Sequence, residues 1–155
     1  VRERAAKALG DLKAKAAVPA LVKRLRSDDR MDVRLSAAEA LGKIGAKEAI
    51  RPLVQLFRLE ADSAVRVEIA RALGRIGDRR AAKVLIKAFK TDRSVRGPAA
   101  VALGRMKAKE ALPLLLEALK SSDPTFKASV VEALGEMGDG RAVGPLIKVL
   151  KEDIG

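Results

Sequence analysis

The tripeptide Ala-Leu-Gly occurs five times along the chain, and its glycines, Gly10, Gly42, Gly74, Gly104 and Gly135, are spaced by 32, 32, 30 and 31 residues. A period of thirty-odd residues holds two helices and a turn, and such a unit cannot bury its own apolar face without neighbours. The register extends well beyond the tripeptide. Nine residues before each glycine stands Val1, Val33, Val65, Val95 or Phe126, each followed by a base: Arg2, Arg34, Arg66, Arg96 or Lys127.

Each copy divides into two helices. The first carries small residues at fixed places, such as Ala37, Ala38, Ala40 and Leu41, which lets neighbouring helices approach closely. Beyond each tripeptide a break is expected. Gly45, Gly77 and Gly138 suit the left-handed conformation that ends a helix, and Asp78 and Asp139 suit the N-cap of the next one. Two copies have Lys13 and Lys107 in the glycine position, and three have Ala14, Ala46 and Ala108 in place of the Asp. The second helix is amphipathic: Ala81, Ala82, Leu85, Ile86 and Phe89 recur at helical spacing. Pro19, Pro52, Pro113 and Pro145 fall early in it, where missing amides cost little, so it starts late or irregularly there. Asp62, Asp92 and Asp123 each precede the next Val or Phe by three and read as caps of the following first helix.

Composition agrees with closely packed helices. Hydrophobic residues make up 48% of the 155 residues and aromatics 2%, all of them Phe, so the core is aliphatic and alanine-rich. There is no Cys and no His, which removes disulfides, thiol chemistry, the usual zinc ligands and the commonest general base. No metal or cofactor is implied. The absence of Asn and Cys beside abundant Lys, Arg and Glu fits a protein from a hot environment or a GC-rich genome. No apolar run reaches the ~20 residues of a membrane span and no secretory leader is visible, so the cytoplasm is the default compartment. The chain opens at Val1 rather than Met, so a piece of a longer array is one expectation.

The motifs Val65-Arg66, Ala72-Leu73-Gly74, Ile76-Gly77-Asp78 and Ala133-Leu134-Gly135, Met137-Gly138-Asp139 resemble the HEAT-like repeats of phycobilisome lyases, and the resemblance runs along the whole chain. It implies an all-α fold, a right-handed α-solenoid of five helical hairpins, with copies at 1–32, 33–64, 65–94, 95–125 and 126–155. It further implies that second helices line the concave side. It also implies that Arg34, Arg66, Arg96 and Lys127 belong to an Asp–Arg ladder between copies. Such arrays serve many functions. Some relatives are enzymes: His-Glu metal hydroxylases, which a chain without His does not match, DNA glycosylases built on aromatic side chains, and bilin lyases.

Charge singles out one face. The formal net charge is +12, from 32 basic and 20 acidic residues. Along the second helix of the third copy, Arg79, Lys83, Lys87 and Lys90 are spaced i, i+4, i+8 and i+11, away from the core stripe. Corresponding positions elsewhere hold Lys15, Lys23, Arg26, Lys47, Arg51, Arg58, Lys109, Lys120, Lys148 and Lys151. The twenty positions of these four columns contain 14 bases and one acid, Glu117, against 18 bases and 19 acids in the remainder. Lys90 and its equivalents lie near a helix end whose dipole favours cations. Arg79 and its equivalents lie in a first turn, where the dipole disfavours them, so that column points to function. Glu117 reads as an ordinary surface acid of a helix.

A basic face of this kind fits a non-enzymatic scaffold for an acidic protein or peptide. The alternatives are sequence-independent binding to a nucleic-acid duplex and a bilin lyase-like or glycosylase-like enzyme. The lack of exposed aromatics argues against single strands. At the ends, Arg2, Glu3, Arg4 and Lys7 are expected to solvate the first helix, whereas Val143, Val149 and Ile154 mark the last as adhesive and open to end-to-end self-association.

Overall fold

A computed structural model describes residues 1–152, and Ile154 lies outside them. Among the described residues there are ten α-helices and no strand. They run α1 (Arg2–Asp11), α2 (Val18–Ser27), α3 (Met31–Ile44), α4 (Ile50–Leu59) and α5 (Ser63–Ile76). The second half continues with α6 (Ala82–Thr91), α7 (Arg96–Arg105), α8 (Leu112–Ala118), α9 (Pro124–Met137) and α10 (Val143–Glu152). Odd-numbered helices stack on one another, even-numbered helices pack beside them, and the chain forms an α-solenoid.

The glycine of Ala-Leu-Gly does not end a helix. It is the point at which two helices touch backbone to backbone. A Cβ placed on Gly10, Gly42 or Gly74 would lie 2.8 Å from the Cα of Ala40, Ala72 or Ala102, the alanine of the next tripeptide, and one on Gly104 would meet Ala133 in the same way. The glycine of each of the first four copies therefore seats on the next copy's alanine. The adjacent leucines fill the core: Leu41, Leu73, Leu103 and Leu134 are all 0–1% exposed. Burying each contributes roughly 1.5–3 kcal/mol.

The turns follow the sequence closely. Gly45, Gly77 and Gly138 end α3, α5 and α9 with φ of 69°, 71° and 69°, and Lys13 and Lys107 take the same region with φ of 50° and 54°. A 3-10 turn then precedes every second helix, which puts Pro19 and Pro113 at its first α-helical turn. The Asp78 and Asp139 carboxylates accept the Arg80 and Arg141 backbone N–H groups, whereas Ala14, Ala46 and Ala108 supply no side-chain cap.

The caps of the first helices depart from expectation. Asp123 accepts the N–H groups of Thr125 and Phe126 at 3.0 and 3.2 Å. Asp62 caps nothing with its side chain, and α7 begins at Arg96, four residues beyond Asp92. The Asp62 carboxylate is engaged by the ladder, and that of Asp92 by the ladder and by the Ser94 N–H at 3.0 Å. Arg34 reaches Asp62 at 2.6 Å, Arg66 reaches Asp92 at 2.6 Å and Arg96 reaches Asp123 at 3.0 Å. Arg2 adds a rung to the buried Asp28 at 2.9 Å. Arg96 also lies 3.9 Å above the Phe126 ring, a cation–π contact. The position that would serve Lys127 falls at Asp153, outside the described residues.

Candidate binding site

The second helices carry their bases outward. All fourteen of Lys15, Lys23, Arg26, Lys47, Arg51, Arg58, Arg79, Lys83, Lys87, Lys90, Lys109, Lys120, Lys148 and Lys151 are exposed. Among the described residues only three of them have a carboxylate within 4.0 Å: Arg79 with Glu110, Lys120 with Glu117, and Lys148 with Glu152. The other bases pair more often: among the described residues ten of those eighteen, Arg2, Arg24, Arg30, Arg34, Lys43, Arg66, Arg71, Arg80, Arg96 and Arg141, have a carboxylate within 4.0 Å. Internal neutralisation is thus concentrated away from the second-helix columns.

The structure brings some of the fourteen together. Arg58 on α4 and Lys83 and Lys87 on α6 line one groove of about 540 Å³, with Phe57, Val84 and Ala88 forming apolar floor and Arg66, Thr91 and Asp92 at its edge. Phe57, Val84 and Ala88 are 6–7% exposed, so the floor is fixed by the core beneath it. Asp92 is the groove's one acid and is already bonded to Arg66 at 2.6 Å. Burial works against its ionisation, but the hydrogen bond from the Ser94 hydroxyl, helped by Arg66, holds its pKa below the ordinary carboxylate value. The three bases from the columns have no such partner among the described residues. Arg26 lines a second groove, between the ends of α2 and α4, where Arg34 pairs with Glu60 at 3.5 Å and donates to the Asp28 backbone carbonyl at 3.0 Å. Lys90, one turn beyond Lys87, does not line the Phe57 groove.

The first-turn column has partners inside the protein. Arg79 donates to Glu110 of the next hairpin at 2.8 Å. Asp78 is held at about 2 by the Arg80 side chain and then the Arg80 N–H, with Lys47 of the preceding hairpin adding a smaller attraction. Asp139 is likewise held at about 2 by Arg141, with a smaller attraction from Lys109. Lys47, Arg79 and Lys109 therefore each face an acid at the start of the following second helix. That arrangement gives these bases a structural reason for an otherwise unfavourable helix position. Glu117 pairs with Lys120 on its own helix at 3.0 Å, as a surface acid does.

Sequence reasoning missed the groove floor. Val84 and Ala88 stand beside Lys83 and Lys87, and together with Phe57 they widen the apolar arc of the second helices at this point. That widening is the signal that marks the groove. Among the described residues no cluster of three or more carboxylates could hold a metal ion, and no helix is long and apolar enough to cross a membrane.

Comparison with known proteins bears on the whole array rather than on the groove. The HEAT-repeat family profile matches residues 1–66, 32–97 and 90–154. Among solved structures, the chain is similar to one from the complex of CpcE and CpcF of phycocyanin lyase from Nostoc sp. PCC7120. The two are 30% identical with a TM-score of 0.81, over 97% of this chain and 64% of that one. This chain thus spans less than two thirds of that relative's length. No curated protein sequence matches it.

Proposed function

The chain belongs to the HEAT-repeat family, and on that premise we propose that it is a non-enzymatic scaffold holding an acidic protein or peptide on its second-helix face, seated in the groove between α4 and α6. The observation that carries this reading is the contrast in pairing. Arg58, Lys83 and Lys87 are exposed and unpaired among the described residues, beside an apolar floor. An amphipathic acidic segment matches both features. Its carboxylates meet the three cations, and one or two apolar side chains cover Phe57, Val84 and Ala88, in the manner of a helix laid in a groove. The remaining bases of the face raise the rate of encounter more than the final affinity.

The test is fluorescence anisotropy with a labelled Glu/Leu amphipathic peptide, beside a mixed-sequence DNA duplex, over a salt series. The scaffold reading expects saturable peptide binding that weakens when Lys83 and Lys87 are replaced by Glu. Tighter binding to the duplex, with a steep linear fall in log affinity against log salt, would transfer the face to nucleic acid.

A second reading takes its motive from the solved relative, one chain of a two-chain phycocyanin lyase complex. On it, this chain is one component of a phycocyanin lyase complex with a second protein. Assay of the reconstituted pair for that activity separates the two readings.

A further inference from the structure

Two grooves of the same build open along the second helices, and the protein fills only one of them with its own acids. Between α2 and α4 the groove is lined by the bases Arg26 and Arg34 and by the acids Asp28 and Glu60. Arg34 is engaged at each guanidinium nitrogen there. Nη1 donates to the Asp28 carbonyl at 3.0 Å, Nη2 reaches Asp62 at 2.6 Å, and the Glu60 carboxylate lies 3.5 Å from Nε. The Arg34 and Glu60 side chains are only 15% and 13% exposed, so that carboxylate is built into the groove.

One hairpin further, between α4 and α6, the equivalent arginine is Arg66. This groove holds four bases, Arg58, Arg66, Lys83 and Lys87, against Asp92 as its one acid. The cause lies in the link to the next helix. Glu60 and Asp62 both follow α4, whereas the stretch from Asp92 to Val95 after α6 contains a single acid. Among the described residues the partners of Arg66 are Asp92 at 2.6 Å and the Ser94 hydroxyl at 2.9 Å, both on Nη2. Its Nε is buried and has no hydrogen-bond partner among them, although 25% of the side chain remains exposed at the groove edge.

We infer that Arg66 is the specificity-determining residue of the α4/α6 groove, and that a carboxylate of the bound partner takes at Arg66 Nε the place that Glu60 takes at Arg34. This rests on the reading of that groove as the binding site. A buried donor left unpaired is unfavourable, and a guanidinium bonds an ionised acceptor more strongly than a neutral one. A glutamate or aspartate entering beside the exposed part of Arg66 answers both. Lys83 and Lys87 attract any anion through their charge. Arg66 supplies the one position at which an amide in place of the carboxylate is penalised.

The test follows the arginine Nε–Hε signals of the isotopically labelled wild-type protein, assigned through their own backbones, while the Glu/Leu amphipathic peptide is added. The Arg66 signal should move downfield and the Arg34 signal should stay in place. Anisotropy then compares peptides carrying single Glu→Gln changes. One such change should weaken binding to the wild type about tenfold. It should have no effect on binding to Arg66→Lys, which keeps a cation for Asp92 but lacks the Nε–H. Arg34→Lys alters the equivalent rung in the other groove and should bind every peptide as the wild type does. An Arg66 signal unmoved by bound peptide, or Glu→Gln losses equal on the wild type and Arg66→Lys, overturns the inference; if Lys83→Glu and Lys87→Glu still weaken binding, the groove reading stands without it. A wild type that binds no peptide overturns both.

Discussion

Replacing the glycine of the third Ala-Leu-Gly by alanine puts the junction geometry to a quantitative test. In a free helix, Gly→Ala stabilises by about 1 kcal/mol. At Gly74 the new Cβ would lie 2.8 Å from the Cα and 2.9 Å from the Cβ of Ala102, well inside the ~3.5–4.0 Å of favourable carbon contact. The obstacle is backbone, so α5 and α7 must separate. Overpacking of this kind costs about 1–3 kcal/mol, and it offsets or exceeds the gain in helix preference. Gly135 is the internal control. It occupies the same tripeptide, yet a Cβ there meets nothing within 4 Å among the described residues. Helix preference is common to both sites, so the difference between the two variants isolates the contact, at about 1–3 kcal/mol. For a chain of this size that corresponds to a gap in melting temperature of roughly 2–4 °C per kcal/mol. Urea unfolding followed by circular dichroism at low protein concentration reads it. Gly74→Ala should be the less stable variant and Gly135→Ala no less stable than the wild type. Equal shifts in the same direction would refute the idea that these glycines exist for the contact.

Two further outcomes follow from the turns. Lys13 holds a φ of 50°, a left-handed conformation that costs a non-glycine residue about 1–2 kcal/mol, so Lys13→Gly should raise the urea midpoint; an unchanged or lower midpoint counts against strain at that turn. Asp78 and Asp139 have folded-state pKa values of about 2, below the ordinary 3.8, chiefly through hydrogen bonds from Arg80 and Arg141. A depressed carboxylate pKa contributes stability that is fully present above the unfolded value and is lost as pH falls through the folded one. The urea midpoint should therefore fall between about pH 4 and pH 2, and the Asp78→Asn, Asp139→Asn double variant should fall less steeply in that window.

The parts of the fold that a sequence displays are those with a local cause. Gly45, Gly77 and Gly138 were legible as helix ends because a left-handed residue is a property of one position, and Asp78 and Asp139 as caps because donor and acceptor are two residues apart. The ladder arginines were legible only through the resemblance to a known repeat family, since Arg34 and Asp62 are 28 residues apart. Asp62 misled as a cap because its carboxylate turns to Arg34 on the adjoining helix, and Asp92 because α7 begins four residues beyond it, although it still accepts the Ser94 N–H; Asp123 serves both its helix and Arg96. The same limit applied to the basic face. Its columns could be counted, but the acids opposite Lys47, Arg79 and Lys109 lie in the next hairpin, and the sequence does not display that proximity.

On the proposed function, the unpaired cations over an apolar floor between α4 and α6 form the recognition site. Backbone amide shifts of the isotopically labelled protein, recorded while the acidic amphipathic peptide is added, test it most directly. Changes should be confined to the second-helix face and largest at Phe57, Arg58, Lys83, Val84 and Lys87, with the helices α3, α5 and α7 undisturbed outside the groove edge. Changes centred on those first helices, or spread evenly over every exposed lysine and arginine, would contradict it.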